Sequence, residues 1–568
     1  MRRVTPFILF VPIALATMGL AWLYHQPRSA GPDVPTGKLK SVSFAPFREG
    51  YSPLQERFPP REHLEEDIAL LAPRTESVRT YSSLGGMEPL PDIARKHGVT
   101  VTQGAWLSWG EKDNQREIAA LIASANQHPD VVTRVIVGNE VLLRGEMEAP
   151  RLLQYINTVK RSIAQPVSYA DVWSMYLKHP EIIAAVDFIT IHILPYWEDE
   201  PIAIDVAPEH LERVFRAVEA EARELRVTKP IFIGESGWPS LGRQRGFAVP
   251  SVLNAARYTR GMIAVATRHG FDYNIVEAFN QPWKAELEGI VGANWGLFSE
   301  KREPVYPLTG DVTDNTAWRY HLGLALVLAL TALGLLARRL SKLSPPRQAL
   351  GVALAVALGV SFLTSALYTY RTSFAPLDRV CGALLLAFTL IFAALVLIRV
   401  LDVLGSNRDR LNKVSPMLSW SFIVFVLLAL WRTYSLARNG RYLSFPLEQF
   451  LTPVTGLIGL AIAGAIARDR KKAFRLSDLV PLGFPHQTHR RWLGWGLVIG
   501  IVGLFGGETA AFLHARDLRA VYPTLSEAIP VALTYTFGNT QLVAWVLYLA
   551  LFAVAGIFSA KTSSSSAS

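Results

Sequence analysis

From Trp318 to about residue 558 the sequence is a train of apolar runs, each close to the length of a membrane helix and separated by short charged loops. No soluble core absorbs so much apolar length at that spacing, whereas a helix of about 20 apolar residues crosses a bilayer core. Spans are expected near 318–337, 349–369, 380–400, 416–437, 447–467, 493–513 and 530–558, with one more at 5–24. The first run, PFILFVPIALATMGLAWLY, is long for a cleaved signal, and PRSAGP after it is a poor cleavage site. An uncleaved N-terminal anchor over 1–25 is therefore expected, and 318–558 reads as an all-α, seven-span transmembrane domain. The Ser-rich end, 559–568, reads as a disordered tail.

Charge gives the sidedness. RRLSKLSPPR (338–347), NRDRLNK (407–413) and RDRKKAFR (468–475) are strongly basic, while the loops near 370–379, 438–446 and 514–529 carry two Arg each. This alternation is what eight spans with both termini cytoplasmic require. The long segment between spans one and two then lies outside. The net charge of +10 resides largely in those loops. With no zinc-finger spacing and no basic base-reading helix, it points to the bilayer as a partner and not to nucleic acid. Cys381 is the single cysteine, which excludes a disulfide framework and a cysteine metal site. Glu508 falls inside a span but toward its outer end, where a structural or interfacial role is expected.

Residues 41–310 read as one soluble domain. Short apolar runs recur along it: SVSFAPF (41–47), SVRTYSS (77–83), VTVTQGAW (99–106), VTRVIVGNE (132–140), PVSYADVW (166–173), DFITIHILPYW (187–197), PIFIGESGW (230–238) and YNIVEAFNQPW (273–283). Segments of helical periodicity lie between them, such as 152–164 and 211–227. Eight strands alternating with helices over this length predict an α/β fold, a (β/α)8 TIM barrel, whose chemistry sits at the carboxyl ends of its strands.

Those ends are Gly138-Asn139-Glu140 on strand four, Asp171 and Trp173 on strand five, and His192, Tyr196 and Trp197 on strand six. Glu235 ends strand seven, and strand eight runs into Glu277, Asn280, Trp283 and Lys284. No metal signature stands out, and no metal or other cofactor is expected. Gly-Glu-Ser-Gly at 234–237 lacks the spacing of a nucleophile elbow, which argues against a serine hydrolase. Two carboxylates at strand ends with aromatics on neighbouring rims are what glycoside hydrolysis asks for. One protonates the leaving oxygen, the other attacks or assists at the anomeric carbon, and flat apolar faces stack on sugar rings.

VIVGNE (135–140) and IFIGESGWP (231–239) resemble the two catalytic signatures of glycoside hydrolase family 17, the β-1,3-glucanases and β-1,3-glucan transglycosylases. VRTYSS, HILPYW and VEAFNQPWKAELEG…NWGLF (276–298) agree, and the resemblance covers about 41–305. It implies Glu140 as general acid/base and Glu235 as nucleophile of a retaining double displacement. Asn139 would hold a sugar hydroxyl beside the reacting carbon. Tyr81, Trp173, Tyr196, Trp197, Trp238, Glu277, Trp283, Lys284 and Glu286 would line the substrate cleft. Where many relatives read Phe-Asp-Glu, this chain has Phe279-Asn280-Gln281, which bears on which glucan the near subsites hold.

The architecture as a whole resembles bacterial inner-membrane proteins of periplasmic β-glucan synthesis, often called β-(1,6)-glucan synthases. This implies a β-glucan substrate, a periplasmic catalytic domain, remodelling of β-1,3/1,6-glucans by transfer, and a glucan synthase as a further partner. Endo-β-1,3-glucan hydrolysis is the alternative outcome, and a non-catalytic glucan-binding or export component is an alternative of another class. A processive nucleotide-sugar synthase is disfavoured, because QTHRRW (487–492) lacks the Gln-x-x-Arg-Trp spacing and lies in a short loop.

Overall fold

The computed structural model describes residues 5–405, 408–466 and 487–557. The expected basic loop 468–475 and the Ser-rich tail 559–568 lie outside the described residues. Two compact units emerge. One is formed by residues 27–314, the other by the helix Thr5–Tyr24 together with the chain from Asn315 onward.

The first unit is a closed barrel of eight parallel strands in sequence order. They are β1 (Leu39–Ser43), β2 (Thr75–Arg79), β3 (Thr100–Ala105), β4 (Val132–Asn139), β5 (Val167–Val172), β6 (Ile189–His192), β7 (Ile231–Ser236) and β8 (Asp272–Ile275). Closure runs through Val42 of β1 against Ile275 of β8. The connecting helices bury faces spaced three and four residues apart. Leu152, Tyr155, Ile156 and Val159 do so on Ala149–Lys160, and Leu211, Val214, Phe215, Val218 and Ala222 on Ala207–Glu224. This periodicity seats each helix on the sheet.

Two strands stop earlier than their apolar runs. Of 187–197 only Ile189–His192 joins the sheet, because Pro195 cannot donate to a ladder and Leu194 to Trp197 closes into a turn. Strand β8 ends at Ile275, after which Ala278 bonds to Ser43 and Glu277 to Trp295 and Leu297. The loop carrying Glu277, Trp283 and Lys284 thus folds over the barrel mouth. The unit also reaches beyond 41–310, since Ala30 and Val34 are buried in the same core.

In the second unit eight described helices are long and apolar enough to cross a membrane, Thr5–Tyr24 among them. Leu9, Phe10 and Ile13 of that helix pack against the unit's core. The run expected as one span over 530–558 is instead two helices, Leu525–Gly538 and Thr540–Ile557. Asn539 is extended between them, and its Oδ1 accepts from Leu542 N at 3.1 Å, capping the second helix. Asn539 Nδ2 donates to Glu508 Oε1 at 3.3 Å, so Glu508 helps hold this break and is buried.

Candidate active site

Four neighbouring strands converge. β4, β5, β6 and β7 stand side by side, and their carboxyl ends carry Glu140, Asp171, His192 and Glu235. Register slips between Ile136 and Asn139 of β4, between Ile191 and His192 of β6, and between Ile233 and Ser236 of β7. Irregularities of this kind re-aim the side chains beside them.

At the end of β4 the backbone turns further, with φ +87° at Gly138 and +52° at Glu140. A left-handed conformation costs a non-glycine residue about 1–3 kcal/mol and persists only when neighbours hold it. Here Glu140 N donates to Ala170 O at 2.8 Å, Arg144 N donates to Glu140 O at 2.9 Å, and the Arg144 guanidinium donates to Asn139 O. Gly138→Ala would add strain at that φ and put a Cβ 3.3 Å from Leu107 Cδ1. The expected result is a loss of about 1–2 kcal/mol, read as a midpoint lower by a few degrees in thermal unfolding, with a larger fractional loss of turnover.

Both glutamates meet one imidazole. His192 Nδ1 lies 2.7 Å from Glu140 Oε1, and Nε2 lies 3.6 Å from Glu235 Oε1. One oxygen from each glutamate and a ring nitrogen fall within 4.8 Å of one another. Such a trio resembles a metal-ligand set. However, Arg79 Nη1 already donates to Glu235 Oε1 at 3.0 Å, so a cation there would face a fixed positive charge. The donor set suits a shared proton better than a metal.

Arg79 ties β4 and β7 together. Its Nη1 also donates to Gly234 O at 2.8 Å, and its Nη2 donates to Asn139 Oδ1 at 2.6 Å. The side chain is 1% exposed, against 10% for Glu235 and 23% for Glu140. Burial alone would push Glu235 upward, but the charges of His192, Arg79 and Lys284, with donation from Tyr81, hold it below the ordinary carboxylate value. Asp171 goes the other way. Burial first, and then the charge of Glu140, raise it to about 6 while the Tyr169 hydroxyl and Val172 N donate to it. The two environments differ in sign, with Glu235 on β7 held below the ordinary carboxylate value and Asp171 on β5 raised above it.

A third group caps the mouth. Lys284 Nζ donates to both oxygens of Glu277 at 3.1 Å. Burial lifts Glu277 to about 7 against the pull of Lys284, whose charge is held by Glu277, Glu288 and Glu235.

The residues expected to line the cleft divide. Asn139 and Tyr81 join the acid pair, with the Tyr81 hydroxyl 3.1 Å from Ser43 Oγ and its ring under the Arg79 guanidinium. Trp173 and Trp197 are half-buried, Trp173 donating to Glu198 Oε1 at 3.2 Å and Trp197 lying under Arg245. Trp283 is half-buried and donates to Gln281 Oε1 at 2.8 Å. Tyr196 and Trp238 offer no face to a sugar. They are buried, with the Tyr196 hydroxyl on Arg243 O, the Trp238 N–H on Val249 O, and their rings 6.1 Å apart. Glu286 is exposed, and Glu288, two residues on, is the carboxylate that feels Lys284, Glu140 and Glu235. The amides of Asn280 and Gln281 are buried and spent on Asn294, Gly296, Ala45 and Trp283, so they brace the mouth instead of facing the cleft.

Four residues of the site, Arg79, Asp171, His192 and Glu288, were not among the expected set. Sequence places Asp171 and His192 at strand ends without giving them a role, and the observed β2, β5 and β6 do end at or one residue beyond Arg79, Asp171 and His192.

Residues 42–296 match the family model for the BtgE/BtgC glycoside hydrolase domain. A glucan 1,3-beta-glucosidase of Arthroderma benhamiae is 27% identical over 260 residues, covering 43% of this chain and 82% of its own. That of Schizosaccharomyces pombe is 28% identical over 250 residues, covering 41% and 77%. Among solved structures, an active-site mutant of Rhizomucor miehei beta-1,3-glucanosyltransferase in complex with laminaritriose is 26% identical. It spans 50% of this chain and 100% of its own, with a TM-score of 0.42. Over residues 42–296 the chain thus carries a glycoside hydrolase domain similar to those of glucan 1,3-beta-glucosidases, and is an enzyme acting on glycosidic bonds.

Proposed function

We propose that the barrel, with residues 41–310 as its catalytic portion, is a retaining β-glucan-active enzyme that moves glucan chains between acceptors. The observation that carries this is the convergence of Glu140 and Glu235 within 4.8 Å around His192. Retaining enzymes hold their two carboxyl groups about 5–5.5 Å apart, whereas inverting ones leave room for a water between them. Glu235 forms a bond to the anomeric carbon as the bond to the glycosidic oxygen breaks. The electron pair stays on that oxygen, which takes a proton from Glu140. A hydroxyl then attacks the same carbon, gives its proton to Glu140 and releases Glu235 as a carboxylate. If that hydroxyl belongs to a second glucan the result is transfer, and if to water, hydrolysis. Asn139, held by Arg79, faces the reacting carbon's neighbouring hydroxyl. The names of the curated relatives support a β-1,3-glucan donor.

Eight helices fit to span a membrane, together with the alternation of basic loops, support a multi-pass protein of a bacterial inner membrane with the barrel on the periplasmic side. Tethering beside exported glucan favours transfer to another chain, and the helical unit offers a surface for a glucan synthase.

Purified full-length protein, incubated with a linear β-1,3-gluco-oligosaccharide, tests the reading by mass spectrometry and by proton NMR of the new anomers. Longer or branched products with retained β configuration are expected. Shorter products alone would assign hydrolysis, and unchanged oligosaccharide with folded protein would sink the enzymatic reading for this substrate.

A further inference from the structure

The segment after β3 carries two tryptophans that the acid pair does not use. Trp106 is 41% exposed and Trp109 74%, whereas Trp238 and Trp295 of the same barrel are 1% and 5% exposed. Isolated exposed apolar residues are ordinary on a protein surface. A pair held as tightly as this one is not. Buried Glu117, on the helix Glu111–Gln127, accepts from Trp106 N at 3.3 Å, Ser83 N at 3.1 Å and Ser82 Oγ at 2.5 Å, pinning the loops after β2 and β3 together. One turn back, Asn114 accepts from Ser108 N and donates to Ser108 O, both at 2.8 Å, fixing the backbone between the two tryptophans.

The platform is also wired to the catalytic turn. Arg144 lies over the Trp106 ring at 4.4 Å, donates to Leu107 O at 2.7 Å and donates to Asn139 O beside Glu140. Among the described residues the Trp109 ring has no aromatic or cationic partner, and neither indole N–H has an acceptor. A flat apolar face with a free donor at its edge, immobilised at a barrel mouth, matches a pyranose ring, whose axial C–H face stacks while its equatorial hydroxyls accept hydrogen bonds.

We infer that Trp106 and Trp109 form a distal sugar-binding platform for a polymeric glucan, extending the cleft past the β3 edge and selecting for chain length. Trp109 is its open stacking face, and Glu117 and Arg144 are positioning residues that keep it rigid. This rests on the glucan reading above.

The test uses the full chain in detergent, with two readouts: retardation in native gels containing soluble β-1,3-glucan, and kcat/KM on β-1,3-gluco-oligosaccharides from trisaccharide upward. Trp109→Ala is expected to weaken retention by about tenfold. The loss of kcat/KM should lie in KM and grow with chain length, and Trp109→Phe should recover most of both. Unaltered retention, or a loss equal at every length, overturns the platform. An active wild type whose retention ignores Trp109 defeats this inference alone. Trp109-dependent retention by an inert wild type defeats the catalytic reading alone. A wild type neither retained nor active defeats both.

Discussion

Glu235→Gln is expected to lower turnover by about four orders of magnitude or more, the scale on which removing a covalent catalyst acts, while leaving the fold intact. The amide keeps an oxygen for Arg79 to bond, so the buried guanidinium is not orphaned. Glu140→Gln should cost about 10²–10⁴-fold on glucan. Much of the first step should return with an aryl glucoside, whose leaving group needs no proton. Azide separates the roles. In Glu140→Gly it replaces the acceptor on the glucosyl-enzyme and gives a β-azide. In Glu235→Gly it attacks the opposite face directly and gives an α-azide. If the two variants give azides of the other configuration, the assignments are interchanged. If Glu235→Gln retains turnover, Glu235 is not the nucleophile.

The second large effect belongs to Arg79. Removing one partner of a buried charge pair costs about 3–5 kcal/mol, and Arg79→Ala also strips Asn139 Oδ1 of its donor and leaves Gly234 O to Asn274 alone. A marked fall in thermal midpoint is expected. The pH profile gives a sharper readout. Burial acts to raise Glu235, and Arg79 is among the charges that hold it low. An acid whose pKa the fold depresses adds stability above its unfolded pKa, and that stability is lost as pH falls through the folded value. Without Arg79 this contribution shrinks, and the acidic limb of kcat/KM, which reports ionisation of free Glu235, moves to higher pH. Arg79→Lys should recover part of the shift but not the fork that spans β4 and β7. An acidic limb that stays in place with the protein folded would show that Arg79 does not set the charge state of Glu235.

Much of this site was legible because a barrel converts strand order into spatial order. Once VIVGNE and IFIGESGWP are read as the fourth and seventh strands, Glu140 and Glu235 must arrive at one rim. Sequence does not show which way a side chain points after a strand loses register. Trp238 follows the catalytic strand closely enough to pass for a sugar-stacking wall, yet it turns inward to Val249. Glu286 and Glu288 differ by two positions, but Gly289 at φ +68° breaks the short helix there, so helical spacing could not choose between them. Arg79 was hidden for another reason, because its role lies in contacts with residues 60 and 156 positions away. In the helical unit composition fixes where apolar runs lie, but a single Asn539 with a capping side chain was enough to divide one of them.

Arg28 and Val312 exchange backbone hydrogen bonds at 2.9 Å in both directions, and Arg28 pairs with Asp314 at 3.1 Å. Mechanically this is a clasp. It closes the 27–314 unit at the point where both its ends meet. Where the chain crosses into and out of the barrel, the two ends are thus fastened to each other as well as to the core.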